Sequence, residues 1–238
     1  MKPLVFLVML FMALYAQSQR PVEEFSTQLG PVKITPIRHA SLMVESAGQV
    51  VYVDPAQGSF EGLPSADLIL ITHAHGDHLN EKVIAGLKRS GTQILGPEVV
   101  VKSLAEATLI RAGETRELGK WRIEAVPAYN IKRMRPSGEP FHPKGEGVGY
   151  VLSYGGKRFY FAGDTEGVPE MTALKNIDVA FLPMNLPYTM TPEEAAEAVR
   201  AFKPRIVYPY HYRGADLKVF EKALAGSGVE VRLRDWYY

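Results

Sequence analysis

Residues 68–78 read Leu-Ile-Leu-Ile-Thr-His-Ala-His-Gly-Asp-His. An apolar strand-like run leads straight into three histidines and an aspartate. His73 and His75 are two apart, so in an extended chain both side chains point to one side. Gly76 permits a sharp turn that would return Asp77 and His78 toward the same point. Imidazoles and carboxylates gathered this closely suit a bound divalent metal such as Zn²⁺, with Mn²⁺ or Fe as further options. Two later strand-like runs end in the same manner. Phe159-Tyr160-Phe161-Ala162-Gly163 leads into Asp164, and Ile206-Val207-Tyr208-Pro209-Tyr210 leads into His211. Taken singly, Asp164 is an ordinary turn residue and His211 an ordinary half-buried histidine. Beside the first motif, both are expected to converge on the His73–His78 loop.

Composition narrows the chemistry further. The chain has 238 residues, six histidines and no cysteine. Disulfides, thiol catalysis, zinc ribbons and iron–sulfur clusters are therefore excluded, and any metal must be held by His, Asp, Glu or water. Hydrophobic residues make up 46% and charged residues 22%, which excludes a disordered, collagen-like or polytopic membrane chain. Length suits one domain around a single core, or at most two small ones.

The elements that must carry these residues are short. Strand-like runs rich in Val, Ile, Tyr and Phe lie at Val32–Pro36, Ser41–Glu45, Val50–Val53, Leu68–Thr72, Gln93–Leu95, Trp121–Val126, Gly149–Tyr154, Phe159–Phe161, Val179–Leu182, Ile206–Tyr208 and Val229–Leu233. Helical spacing marks Glu81–Arg89, Glu98–Ala107 and Ala215–Ala225, with a shorter turn at Pro169–Lys175. Thr191-Pro192-Glu193-Glu194 opens a helix to Phe202, with Thr191 and Glu194 set as a capping box. Each half of the chain gives hairpin strands and then helix–strand units. That order predicts two sheets packed face to face with helices outside.

The first residues differ from the rest. Lys2 precedes the apolar run Leu4–Ala16, which is shorter than the roughly 20 residues that span a bilayer. With Ala16-Gln17-Ser18 it fits a signal peptide cleaved after Ser18. The reading is a signal over 1–18, a domain over 19–238, and a periplasmic or secreted product with no stable membrane span; an uncleaved anchor is the alternative. Losing Lys2 leaves 26 basic and 26 acidic residues. A neutral chain with one short basic cluster, Lys132-Arg133-Met134-Arg135, points to a small-molecule substrate and away from nucleic acid. Oligomeric state is not legible.

His-x-His-x-Asp-His after an apolar strand, then Gly-Asp-Thr, then a late strand-end histidine resembles the metallo-β-lactamase superfamily. The resemblance runs from Pro36-Ile37-Arg38-His39-Ala40-Ser41 to the last strand. Tyr52-Val53-Asp54-Pro55 and Pro209-Tyr210-His211-Tyr212 look most like its lactonase- and phospholipase-like branch. It implies an α+β fold, a four-layer αββα sandwich, with the metals at one rim of the sheets. It also implies one metal on His73 and His75, another on Asp77, His78 and His211, and Asp164 bridging them.

One departure stands out. The family places a further histidine where this chain has Asn130. Three readings follow: Asn130 ligates weakly, His142 replaces it, or the first site is empty and one metal binds; His142 is equally read as a substrate contact or a plain surface residue. Asp54 is read as orienting a metal-binding histidine or stabilising a turn. His39 is read as a structural histidine hydrogen-bonded under the sheet, with a place near the site rim, as the branch resemblance implies, the alternative. Tyr129, Tyr188 and Tyr210 are candidates for pocket lining, against half-buried core.

The expected activity is hydrolysis of an ester, lactone or phosphodiester of a small molecule. A metal lowers the pKa of its water toward about 7, which makes hydroxide available at neutral pH. Asp77 would position that hydroxide and accept a proton. Lys144 or Arg133, on the long loop 130–147, would meet an anionic substrate or be plain solvated charges. A non-catalytic metal-binding module of the same fold is the competing reading, with a diiron redox member further off.

Overall fold

The structure, a computed structural model, describes residues 20–237. The expected signal segment 1–18 lies outside the described residues. Among them, no helix is long and apolar enough to cross a membrane.

Two seven-stranded sheets form among the described residues, each following chain order. The first contains β1 (Glu23–Phe25), β2 (Val32–Arg38), β3 (Ser41–Ser46), β4 (Gln49–Val53), β5 (Leu68–Leu70), β6 (Gln93–Gly96) and β7 (Thr108–Leu109). The second contains β8 (Thr115–Leu118), β9 (Trp121–Ala128), β10 (Gly147–Tyr154), β11 (Lys157–Phe161), β12 (Val179–Pro183), β13 (Ile206–Tyr210) and β14 (Glu230–Val231). The two halves repeat one plan. The strand pairs are antiparallel as far as β4 in one sheet and β11 in the other, and parallel beyond.

Helices α1 (Glu81–Leu87), α2 (Glu98–Ser103), α3 (Pro169–Thr172), α4 (Pro192–Phe202) and α5 (Leu217–Ala223) cover the outer faces. Side-chain alternation sorts the layers. Val51 and Val53 face Phe161, Tyr208 and the other inner side chains of the second sheet, while Tyr52 turns outward to the core that holds Ile84 and Val100. Tyr160, Ala180 and Val207 pack outward with Ala195, Val199 and Phe220. Three buried layers separate helix, sheet, sheet and helix, which is the expected αββα sandwich. The Thr191–Glu194 capping box at the start of α4 is formed as the sequence predicts.

Strand direction decides where the chemistry lies. β2, β4 and β5 run one way in the first sheet, and β9, β11, β12 and β13 share a direction in the second. Their C-terminal ends are followed by His39, Asp54, His73, Asn130, Asp164 and His211. The rim where strands end in parallel sheets is the usual place for a site. The last antiparallel-paired strand of each half, β4 and β11, ends just before a buried aspartate, Asp54 and Asp164 respectively.

Candidate metal centre

The residues expected at the site meet at this rim. Asp164, 4% exposed, lies at its middle. Its Oδ1 is 3.3 Å from the Nε2 atoms of both His78 and His211. Its Oδ2 faces His142 Nε2 at 3.2 Å and His73 Nε2 at 4.0 Å. On one side stand His73, His75 and His142; on the other stand Asp77, His78, His211 and His39, and each set could hold a metal ion. Asp77 Oδ2 is 3.4 Å from His211 Nε2 and 3.7 Å from His78 Nε2.

Several of these atoms are buried without a hydrogen-bond partner: Nε2 of His78, His142 and His211, and Oδ1 of Asp164. Leaving a buried polar atom unpaired costs about 1–3 kcal/mol. Nitrogen and oxygen lone pairs converging at 3.2–3.4 Å without hydrogen-bond geometry are what a metal-binding site needs. The donor set of imidazoles and carboxylates fits a divalent cation.

Three of the rings are oriented from behind. His78 Nδ1 donates to Asp54 Oδ2 at 2.7 Å, and Asp54 also accepts from the Thr72 amide and hydroxyl, both at 2.7 Å. The Thr72 hydroxyl, having given its proton to Asp54, accepts from His73 Nδ1 at 3.0 Å. His142 Nδ1 donates to Asn130 Oδ1 at 2.9 Å. In each case a proton on the back nitrogen is used behind the ring and Nε2 faces the centre, the orientation a metal ligand requires.

Electrostatics follow the geometry. Burial, reinforced by His78, holds His73 well below the ordinary histidine range, and burial with His142 lowers His75. Burial also disfavours charge on His78, but Asp164 and Asp54 overcome it and push its pKa well up. For Asp77, burial is outweighed by the neighbouring imidazoles of His211 and His39, so it stays ionised. Asp164 is likewise held low, its burial offset by His211 and His78.

Several details differ from the sequence reading. Asn130 does not offer its oxygen to the cluster. Oδ1 accepts from both the amide of His142, at 2.7 Å, and its ring, while the side-chain amide donates to Tyr188 O at 2.8 Å. Asn130 therefore seats His142 beside His73 and His75. The turn at Gly76 needs no left-handed glycine; it is closed by the amides of His78 and Leu79 donating to His75 O, both at 2.9 Å. Lys144 turns from the cavity to Glu170 (3.0 Å) and Tyr129 (3.2 Å), and Arg133 pairs with Glu194 and Glu166. Tyr210 is core, accepting from the Gly163 amide, whereas Tyr188 lines the cavity.

His39 is not under the sheet but in the centre. Burial pushes the Tyr237 hydroxyl up to about 12, so it is protonated and donates to His39 Nδ1 at 2.7 Å. His39 Nε2 then donates to Asp77 Oδ2 at 3.2 Å, with the imidazole 3.7 Å from that of His211 between centroids. Burial keeps His39 neutral against the pull of Asp77. His39, Asp54 and His211 all have positive φ, at 60°, 45° and 47°. Such strain in non-glycine residues gathers where a site requires it. A cavity of about 760 Å³ opens onto His39, His75, Asp77, His142 and Asp164, walled by Arg135, Phe141, Leu186, Tyr188 and Arg213 among others.

Comparison with known proteins gives the family. Residues 33–211 match the β-lactamase superfamily domain. The chain belongs to that superfamily. Within it, the chain is 33% identical over 216 residues to a UPF0173 metal-dependent hydrolase of Thermococcus onnurineus, spanning 84% of this chain and 95% of the relative. This superfamily member is thus a metal-dependent hydrolase by family. The crystal structure of a candidate metal-dependent hydrolase from Parabacteroides distasonis is 42% identical, with a TM-score of 0.87, covering 92% of this chain and all of that one. Igni18, a metallo hydrolase of Ignicoccus hospitalis, is 25% identical with a TM-score of 0.72, covering 87% and 96%.

Proposed function

We propose that this hydrolase acts on an ester, lactone or phosphodiester of a small molecule and works with two metal ions, best fitted by zinc. The observation that carries the reading is Asp164, which turns one oxygen to each of the two clusters. His73, His75 and His142 would hold one ion, and Asp77, His78 and His211 the other. Bound there, the ions would supply Lewis acidity and a water acidified to near neutral pH.

The chain's own groups do the rest. Asp77 is about a third exposed, while Asp164 is buried, so Asp77 is the ionised acid open to the cavity. It accepts a hydrogen bond from the attacking water and orients it. His39, anchored by Tyr237, fixes the Asp77 carboxylate. Asp54 holds His78 against drift. The ester or lactone part of the reading continues the branch resemblance of Tyr52–Pro55 and Pro209–Tyr212. The apolar segment 4–16 supports export, which N-terminal sequencing of the product tests; a start at Gln19 is expected.

Zinc-loaded protein assayed against a panel of esters, lactones, lactams and phosphodiesters tests the activity. Turnover of one class, lost in Asp77→Ala, is expected. Stoichiometric metal with no turnover of any class would support the non-catalytic module instead.

A further inference from the structure

We propose that the substrate is an anion with an apolar or aromatic body, its carboxylate or phosphate gripped by Arg135 and Arg213 across the cavity mouth. The proposal rests on the hydrolytic reading above and specifies its substrate class.

The two arginines are unusual in this chain. Most others are matched to acids: Arg89 to Asp67, Arg133 to Glu194, Arg158 to Glu124, and Arg232 and Arg234 to Glu23. Among the described residues, neither Arg135 nor Arg213 has a carboxylate within ion-pair distance, and both are exposed. Both line the cavity that opens onto Asp77 and Asp164. Two un-neutralised guanidiniums beside a cluster of acids form a mouth suited to an anion.

Both are held without being neutralised. Arg135 donates to Phe141 O at 3.0 Å and lies 5.3 Å from the Phe141 ring centre. Arg213 lies 5.6 Å from the ring centre of Tyr237. Stacking fixes the planar head and leaves N–H donors free for a carboxylate or phosphate.

Their position ties them to the chemistry. Loop 131–146 is a small hairpin, closed by the Arg135 amide donating to Glu139 O at 2.7 Å and by the Met134–Pro140 bridge. Its outgoing arm carries Arg135, and its return arm delivers Phe141 and His142. Arg213 is two residues beyond His211, so their Cα atoms are at most about 7 Å apart. On the wall of the same cavity, Phe141 packs edge-on against Tyr188 at 5.1 Å, and Leu186 is half exposed. That wall suits an apolar body and would gain nothing from a small sugar-like anion.

Titration calorimetry on zinc-loaded protein tests this without turnover. The probes are benzoate and phenylphosphonate, with benzamide as the neutral counterpart. Wild type is expected to bind at least one anion about tenfold or more tighter than benzamide. Arg135→Gln and Arg213→Gln should each lose about tenfold, with metal content and melting temperature unchanged. Which anion wins separates carboxylate from phosphate substrates. Equal binding of anion and benzamide would overturn the proposal. So would anion affinity unchanged in the double variant, since the metals alone would then hold the anion. If the anions bind through the arginines but no ester, lactone or phosphodiester is cleaved, the hydrolytic reading fails and the anion site stands.

Discussion

The carboxamide oxygen of Asn130 accepts two hydrogen bonds from His142, one from its amide at 2.7 Å and one from its ring Nδ1 at 2.9 Å. Asn130 thus clamps a histidine twelve positions later that could hold a metal with His73 and His75. The backbone repeats the link, as the Asn130 amide donates to His142 O at 2.8 Å. Asn130→Ala should free the ring and weaken metal binding about 10–100-fold, the usual cost of losing such a support. Asn130→Asp keeps the acceptor oxygen and should retain affinity within a few-fold. Competition with a chelating dye reads both, and equal loss in the two variants would contradict the clamp.

Asp77 and His39 should separate by size of effect. Asp77→Ala is expected to lower turnover by about 10²–10⁴ with the fold intact. His39→Ala leaves the carboxylate in place but unanchored, so a smaller loss, about tenfold, is expected. Steady-state kinetics with circular dichroism on both variants tests the order.

Gly76→Ala should be nearly silent. A Cβ at Gly76 meets nothing within 4 Å, and the residue has no left-handed backbone to lose. Metal content and thermal stability should match wild type, with any change within about 0.5 kcal/mol. A marked loss of metal would mean that the loop needs glycine after all.

Glu23 should contribute measurably to acid sensitivity. Burial works against its carboxylate, but the Tyr208 hydroxyl and Arg234 and Arg232 outweigh it and lower its pKa. A depressed carboxylate pKa adds stability above the unfolded value, near 4.5, and loses it as pH falls through the folded value. Glu23→Gln should therefore cost about 1 kcal/mol at pH 7, discounting for solvent screening of the half-exposed arginines, and little at pH 3. Thermal melts at the two pH values test the sign.

The sequence and the fold part company at identifiable places. The eleven predicted strands are all present, because alternating Val, Ile, Tyr and Phe reflect burial on two faces. β1, β7 and β8 escape that pattern. β1 is Glu-Glu-Phe, held by ion pairs to Arg232 and Arg234 about 210 residues away, and no local signal reports such a pairing. His73, His75, Asp77, His78, Asp164 and His211 were legible because strands lead into them. His142 was one of three options because a hairpin, not a strand, places it, and hairpin geometry leaves no periodic trace. His39 looked structural because its left-handed backbone, which swings it into the centre, cannot be read from residue type.

The most direct test of the two-cluster account is metal content per chain by plasma mass spectrometry, on wild type and His142→Ala. The account predicts about two equivalents for wild type and about one for the variant, since His142 completes one cluster only. One equivalent in both proteins would contradict it.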